Sequence, residues 1–383
     1  MNSKGYVSVI CEYNPFHFGH LHQLKLLQKE FEGVVCILSG DIVQRGTAAV
    51  ASKYLRAEAA LRSGANLVLE LPIPYCCASA HDFAAAGVHI AESIKSGYLA
   101  FGAENPELLF EMSNIFSAED FAEQTERLIS EHKNISYPAA LSLLIGERLG
   151  KEAALASEKP NNILSLEYLS AMRGKRIKPF VVERKQDLPS SSQIRALSSG
   201  KAMLGQLPEQ SRAVFESALG FDFPREPARL DSFFIGTLRS LNASEIEDGL
   251  YSAPRDLINK VIAASFKVLS VDELVSLCVD KSYTAARVRR AVNSLVFGIK
   301  SETVKRLPPY TCVLAADGIG REILRGIKND CGIEIVTKPV TALEKSAETQ
   351  AAFTLSKRVE DIIALSSLEG GEVYKGKSPK ISD

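Results

Sequence analysis

The chain contains no tryptophan, and its 45 lysines and arginines against 46 aspartates and glutamates leave a net charge of −1 over 383 residues. With no overall positive charge, any nucleic-acid contact must come from a local basic patch. None of the seven cysteines (Cys11, Cys36, Cys76, Cys77, Cys278, Cys312, Cys331) stands in a Cys-x-x-Cys pair. The odd number and the spacing argue against a disulfide framework or a zinc ribbon, and the thiols read as small buried hydrophobes. No apolar run reaches the ~18–20 residues that would span a bilayer. The opening Met-Asn-Ser-Lys-Gly leads into a strand-like segment without the pattern of a signal peptide, so a cytoplasmic protein is expected. There is no Gly-x-Ser-x-Gly elbow, no internal repeat and no low-complexity block. Gly318-Ile319-Gly320 lacks the third glycine of a dinucleotide fingerprint and is set aside.

What the sequence does have is an alternation. Tyr6–Ile10, Val34–Leu38, Leu67–Leu71, Tyr98–Phe101 and Phe180–Val182 read as strands, and Leu21–Phe31, Lys53–Ser63 and Phe83–Lys95 as helices. Short apolar strands separated by helices predict a Rossmann-like parallel sheet covered on both faces, with ligands beyond the carboxyl ends of the strands. The stretch 106–150 is helical by pattern, and Ser191–Ser199 reads as the last helix of this unit. The spacing then predicts helices over Leu230–Leu241, Glu245–Leu250, Asp256–Lys267, Val271–Val279 and Tyr283–Ile299. Strand, helix and strand follow at Tyr310–Ala315, Arg321–Lys328 and Ile333–Thr337. The expected fold class is thus α/β. A nucleotidyltransferase-like domain over 1–203 precedes a helical, basic region over 204–306, a small α/β segment over 307–369 and a flexible tail over 370–383.

The chemistry concentrates at His17-Phe18-Gly19-His20, just after the first strand and the turn-like Glu12-Tyr13-Asn14-Pro15. A helix N-terminus offers unpaired backbone N–H groups and partial positive charge, and His at i and i+3 shares one helix face. Strand, turn, glycine and helix start together point to a triphosphate. A metal reading of His17, His20 and His22 would have to draft Glu12 or Asp41, which no motif selects, so no metal site is expected. A second element, Ser190-Ser191-Ser192-Gln193-Ile194-Arg195, could simply cap a helix, but it also offers hydroxyl and guanidinium donors to terminal phosphates. Gln44-Arg45-Gly46, Lys53 and Arg56 read as a solvated helix face. Farther on, Lys281, Arg287, Arg289, Arg290, Lys300, Lys305 and Arg306 meet only Asp280 and Glu302, with Tyr283, Phe297 and Tyr310 interleaved. That suits either RNA contacts or a plain basic solvent face.

These two phosphate elements resemble the His-x-Gly-His nucleotidyltransferase superfamily. More specifically, Glu12–Leu21, Ser39–Gly46, Leu69–Pro72, Pro160–Asn162, Lys281–Arg290 and Thr337–Pro339 resemble the tRNA(Met) cytidine acetate ligase family over nearly the whole chain. The resemblance implies an ATP-dependent ligase that forms acetyl-adenylate from acetate and acetylates N4 of the wobble cytidine of elongator tRNA(Met). A small-molecule nucleotidyltransferase is the alternative. It further implies ATP as substrate with Mg²⁺, and tRNA and acetate as partners, with no membrane and no obligate protein partner. His17, His20 and Arg195 would be catalytic. Val7, Tyr13, Asn14, Pro15, Phe16 and Gly19 would join both histidines in an ATP loop, with Gly102, Asn162, Arg184, Ser191 and Arg195 completing the site. Arg287, Arg289, Arg290 and Lys300 would contact tRNA. Three positions depart from the family pattern: Asp41 stands where Asn is expected, Asn66 for Asp, and Ala103 for Ser. An aspartate at 41 would repel a triphosphate unless it met Mg²⁺.

Overall fold

A computed structural model describes residues 5–118, 120–131, 135–184, 187–327, 331–367 and 380–381. Five parallel strands build the centre: β1 (Tyr6–Cys11), β2 (Gly33–Ser39), β3 (Leu67–Leu71), β4 (Tyr98–Ala103) and β5 (Lys178–Glu183). Their order is β5-β4-β1-β2-β3, with Val7 opposite both Val34 and Tyr98. The chain runs outward from β1 to β3 and then crosses back to place β4 on the other side of β1. The carboxyl ends of β1 and β4 therefore flank the switch point, where open α/β sheets bind ligands. β2 and β3 are buried along their whole length, as expected for strands covered on both faces.

The helices α1 (Phe18–Glu30), α2 (Lys53–Arg62) and α3 (Ala80–Ser93) are the expected crossovers. α4 (Pro106–Phe116), α5 (Phe121–Glu131), α6 (Tyr137–Leu149) and α7 (Lys151–Ser157) fill the helical stretch before α8 (Pro160–Ala171). The expected last helix shortens to α9 (Ser191–Arg195), followed by α10 (Gly200–Leu204) and α11 (Glu209–Glu216). Met203, Leu204, Leu207 and Phe215 share one core with Val7, Val9 and Leu24, so the chain does not leave the sheet near 203.

The helical half consists of α12 (Asp231–Ser240), α13 (Arg255–Ser265), α14 (Val271–Cys278), α15 (Ala285–Phe297) and α16 (Ser301–Lys305). One expectation fails here. Glu245–Leu250 is not a helix; only a three-residue turn at Ala243–Glu245 forms, and Gly249 at φ +95° carries the chain into a bridge between Leu250 and Lys300. A left-handed residue ends helical propagation.

The C-terminal segment joins the same sheet. β6 (Tyr310–Ala316) runs antiparallel to β3 and carries β7 (Glu334–Val336) at its far edge, with β8 (Lys380–Ile381) also pairing with β6. Between β6 and β7, α17 (Gly318–Ile327) starts at the Gly-x-Gly set aside above. A Cβ on Gly320 would lie 2.1 Å from the Asn66 carbonyl oxygen, so this glycine serves close packing. Asn66 accepts from Val34 N–H (2.8 Å) and donates to Asp317 (2.8 Å), which an aspartate at 66 could not do. α18 (Ala347–Ile363) closes the chain's described fold. No described helix is long and apolar enough to cross a membrane.

Candidate active site

The loop after β1 is held from several sides. Tyr13 adopts φ +44°, a conformation a bulky residue takes at some cost, and its buried ring edge packs on Phe16 at 4.8 Å. Asn14 accepts the Val50 N–H at 2.7 Å. Val7, Tyr13, Asn14 and Phe16 are all buried, so they shape the loop and present no side chain at its surface.

His17 is the N-cap of α1. Its Nδ1 accepts the Gly19 N–H at 3.1 Å, and its own N–H donates to His20 Nδ1 at 3.3 Å. This is a capping box in which both members are imidazoles. The rings stack with centroids 3.8 Å apart. Because both Nδ1 atoms accept, the neutral tautomer places the proton of each ring on Nε2, where it can donate outward. Burial, with Arg184 and then Arg195, pushes His17 down to about 4. Burial, then His17 and Arg184, holds His20 well below its ordinary value. Gly19 is needed for a reason the sequence did not show. A Cβ there would lie 2.9 Å from His17 Cε1, so the glycine clears the capping ring.

The second motif arrives where expected. Ser190 caps α9 in a box with Gln193, and Ser191 is the first helical residue. Arg195 reaches back to donate to the Asn14 carbonyl oxygen and to Ser192 Oγ (3.3 Å). Two segments about 180 residues apart in the chain thus touch. The remaining walls come from β4, β5 and α8. Arg184 continues β5 with its N–H on the Ala103 carbonyl (3.0 Å), and its stem covers Gly102, where a Cβ would come within 2.9 Å. Ser165 ties α8 to the Gly102 carbonyl at 3.2 Å. Asn162 at the start of α8 is buried; its amide nitrogen donates to the Ala156 carbonyl (3.0 Å), while its Oδ1 has no partner.

Asp41 does not face a ligand. It is buried and paired with Arg225 at 2.7 Å, accepts the Lys53 N–H at 3.0 Å, and Arg225 also holds Asp222 at 2.7 Å. Burial alone would raise the Asp41 carboxyl, but Arg225, Lys53 and Arg56 hold it below its ordinary value. The repulsion that a carboxylate at 41 would bring to a triphosphate is met by a guanidinium, which neutralises it. The solvated-face reading of Lys53 and Arg56 is corrected. Arg56 is fully buried and donates to the carbonyls of Glu12 (2.7 Å), Ser39 (3.0 Å), Gly40 (2.6 Å) and Ala51 (3.0 Å). It clamps the ends of β1 and β2 behind the site. Lys53 is buried between Glu70 (2.8 Å) and Glu360 (3.1 Å), linking α2, β3 and α18. Sequence reading missed Arg225 altogether. The sequence also spells Gly-x-x-x-x-Gly-Lys-Ser at Gly371–Ser378, which lies outside the described residues.

The four candidate RNA contacts all sit on or just beyond α15 and differ in exposure and pairing. Arg287 is exposed and lies over Tyr283 at 5.2 Å. Arg289 pairs with Asp272 at 2.8 Å and Lys300 with Glu247 at 3.0 Å, both partners being largely exposed. Arg290 turns inward, burial lowers its pKa, and its Nε has no partner.

The depressed imidazoles set a pH dependence. Between about 4 and 6.5 the unfolded chain binds protons at His17 that the folded chain refuses, so stability rises with pH across that window. The unliganded protein is expected to lose stability as pH falls from 6.5 towards 4. His17→Gln should flatten that part of the profile, as read by denaturant melts at each pH.

Paired imidazoles at a helix start, at the switch point of a parallel sheet and facing a serine–arginine helix start, define a nucleotidyltransferase-type α/β domain. A family model described as HIGH Nucleotidyl Transferase matches residues 4–372. The tRNA(Met) cytidine acetate ligase of Bacillus subtilis (strain 168) is 31% identical over 371 residues, covering 87% of this chain and 86% of that protein. The ligase of the same name from Thermoanaerobacter sp. (strain X514) is 29% identical over 371 residues, covering 90% and 92%. In fold, the chain matches the crystal structure of Thermotoga maritima TmcAL bound with alpha-thio ATP at a TM-score of 0.89 and 24% identity, over 99% of this chain and 100% of that one. The chain belongs to the HIGH nucleotidyl transferase family and, within it, to the tRNA(Met) cytidine acetate ligases.

Proposed function

We propose that the chain activates acetate with ATP and transfers the acetyl group to N4 of the wobble cytidine of elongator tRNA(Met). The observation that carries this is the contact of Arg195 with the Asn14 carbonyl, which brings the serine–arginine helix start onto the imidazole loop. In the first step an acetate oxygen attacks the α-phosphorus and the bond to pyrophosphate breaks, giving acetyl-adenylate. Acetate is already ionised at neutral pH, so no base is needed. The requirement is donors for charge that grows on the phosphoryl oxygens and the leaving group. The Nε2–H groups of His17 and His20, the Arg195 guanidinium and the Ser191 end of α9 supply them. Arg184, Gly102 and the unpaired Asn162 oxygen would receive the nucleoside. Mg²⁺ would arrive with the nucleotide. Among the described residues no three His, Cys, Asp or Glu side chains gather to hold a metal, and Asp41 is taken by Arg225.

In the second step the cytidine amine attacks the acetyl carbonyl, the bond to AMP breaks, and one N–H proton leaves. An anticodon loop presents its bases unpaired, so no duplex need open. Arg287 and the exposed basic residues around α15 would meet the RNA backbone. The test is incubation with ATP, labelled acetate and unmodified elongator tRNA(Met). Label should enter the tRNA only when ATP is present, and its absence from the tRNA refutes the assignment.

A further inference from the structure

A cavity of about 240 Å³ lies outside the nucleotide site, between the loop 42–48 and the helical half. Ile42 and Ala48 form one wall, and Phe234 of α12 and Val292 of α15 form the other. Thr47, Asp231, Ser270, Asp272, Arg289 and Asn293 bring polar groups to its lining. Asp231 uses one carboxylate oxygen, Oδ1, on the Val271 N–H at 3.0 Å, and Arg289 engages the exposed Asp272 through one terminal nitrogen. Each keeps capacity for a further partner.

The chemistry narrows the occupant. Acetate is too small for this space, and a phosphate group would meet two carboxylates, Asp231 and Asp272. A lining that combines apolar side chains with the Asp231 carboxylate as acceptor and the Arg289 guanidinium as donor suits a neutral planar heterocycle that carries both an exocyclic amine and a ring carbonyl. This is the edge of cytosine or guanine, for which Asp and Arg are natural partners. We propose that the cavity receives one unpaired nucleobase of the tRNA, other than the cytidine that is acetylated. This rests on the reading that the substrate is a tRNA.

Placement favours RNA over a free nucleoside. Arg289 lies on the same helix as exposed Arg287, with exposed Lys281 just before it, so a backbone entering the cavity would run along cationic side chains. The cavity wall also reports to the nucleotide site. Asn293 of α15 holds the Gly46 carbonyl (3.0 Å), and two residues earlier Gln44 N–H is held by Glu12 (3.0 Å). A base seated here would brace the loop that backs the imidazoles.

Ala228, an exposed cavity residue, allows a test with little cost to the core. Ala228→Trp should weaken filter binding of unmodified tRNA(Met) about tenfold, because stacking of one base is lost. Acetate-dependent ATP–pyrophosphate exchange should stay within about twofold, and Ala228→Ser should behave as wild type in both assays. Unchanged tRNA affinity in Ala228→Trp overturns the proposal, as does a parallel loss of exchange. Calorimetry with free cytidine and GMP separates the sources: tight binding to wild type that Ala228→Trp abolishes while tRNA affinity stays unchanged would mark a small-molecule site and overturn it. Wild-type protein that binds tRNA but shows no exchange would refute the proposed activity while leaving this test intact.

Discussion

His20→Ala should lower acetate-dependent ATP–pyrophosphate exchange by about 10²–10³-fold, the usual consequence of removing one preorganised donor from a developing anion. The ring is positioned from three sides: Tyr13 at 4.8 Å, Phe16 at 5.6 Å and the His17 ring at 3.8 Å between centroids. Its Nδ1 is committed to the His17 N–H, which leaves Nε2–H as the outward donor. The substitution also removes one half of a capping box, at a cost of about 1 kcal/mol. Activity must therefore be read well below the melting temperature. The affinity for tRNA should be unchanged within about twofold, because the candidate RNA contacts lie on and just beyond α15 and His20 on α1 is not one of them. Exchange reduced less than about threefold would remove the imidazole from the phosphate-binding role.

Arg225→Met should be the most damaging single change to stability, at about 3–5 kcal/mol, because it leaves two buried carboxylates without their partner. Asp41 and Asp222 are both buried; each accepts from Arg225 through Oδ1, and each Oδ2 has no hydrogen-bond partner. The carboxyl of Asp41 is held below its ordinary value mainly by this guanidinium working against burial. Part of the loss should be recovered at low pH, where the stranded carboxylates take up protons. Asp41→Asn separates this structural role from a metal role. It should lower stability in a denaturant melt while leaving the KM for Mg·ATP unchanged. A raised KM with unchanged stability would give Asp41 a part in holding the metal of Mg·ATP.

Local features were legible in the sequence and distant pairings were not. The helix at Phe18, with His17 as its cap and His20 one turn on, follows from nearby residues alone, as does the start of α9 at Ser191. The parallel direction of the first five strands follows from their alternation with helices, while their order does not. Arg225 was invisible because its partner Asp41 lies 184 positions away. Arg56 misled because a charged residue in a helix normally seeks water. Here four backbone carbonyls at strand and loop ends replace that water. The antiparallel pairing of β6 with β3 is set by tertiary packing, since a strand's own pattern does not name its neighbour. The sequence did not show that Gly19 is also required by the ring two residues before it.

A crystal structure of the protein with a non-hydrolysable ATP analogue tests the convergence of the two motifs most directly. The triphosphate is expected between the Nε2 atoms of His17 and His20 on one side and Arg195 with the start of α9 on the other. A nucleotide bound elsewhere, or phosphates that touch only one of these segments, would contradict the account.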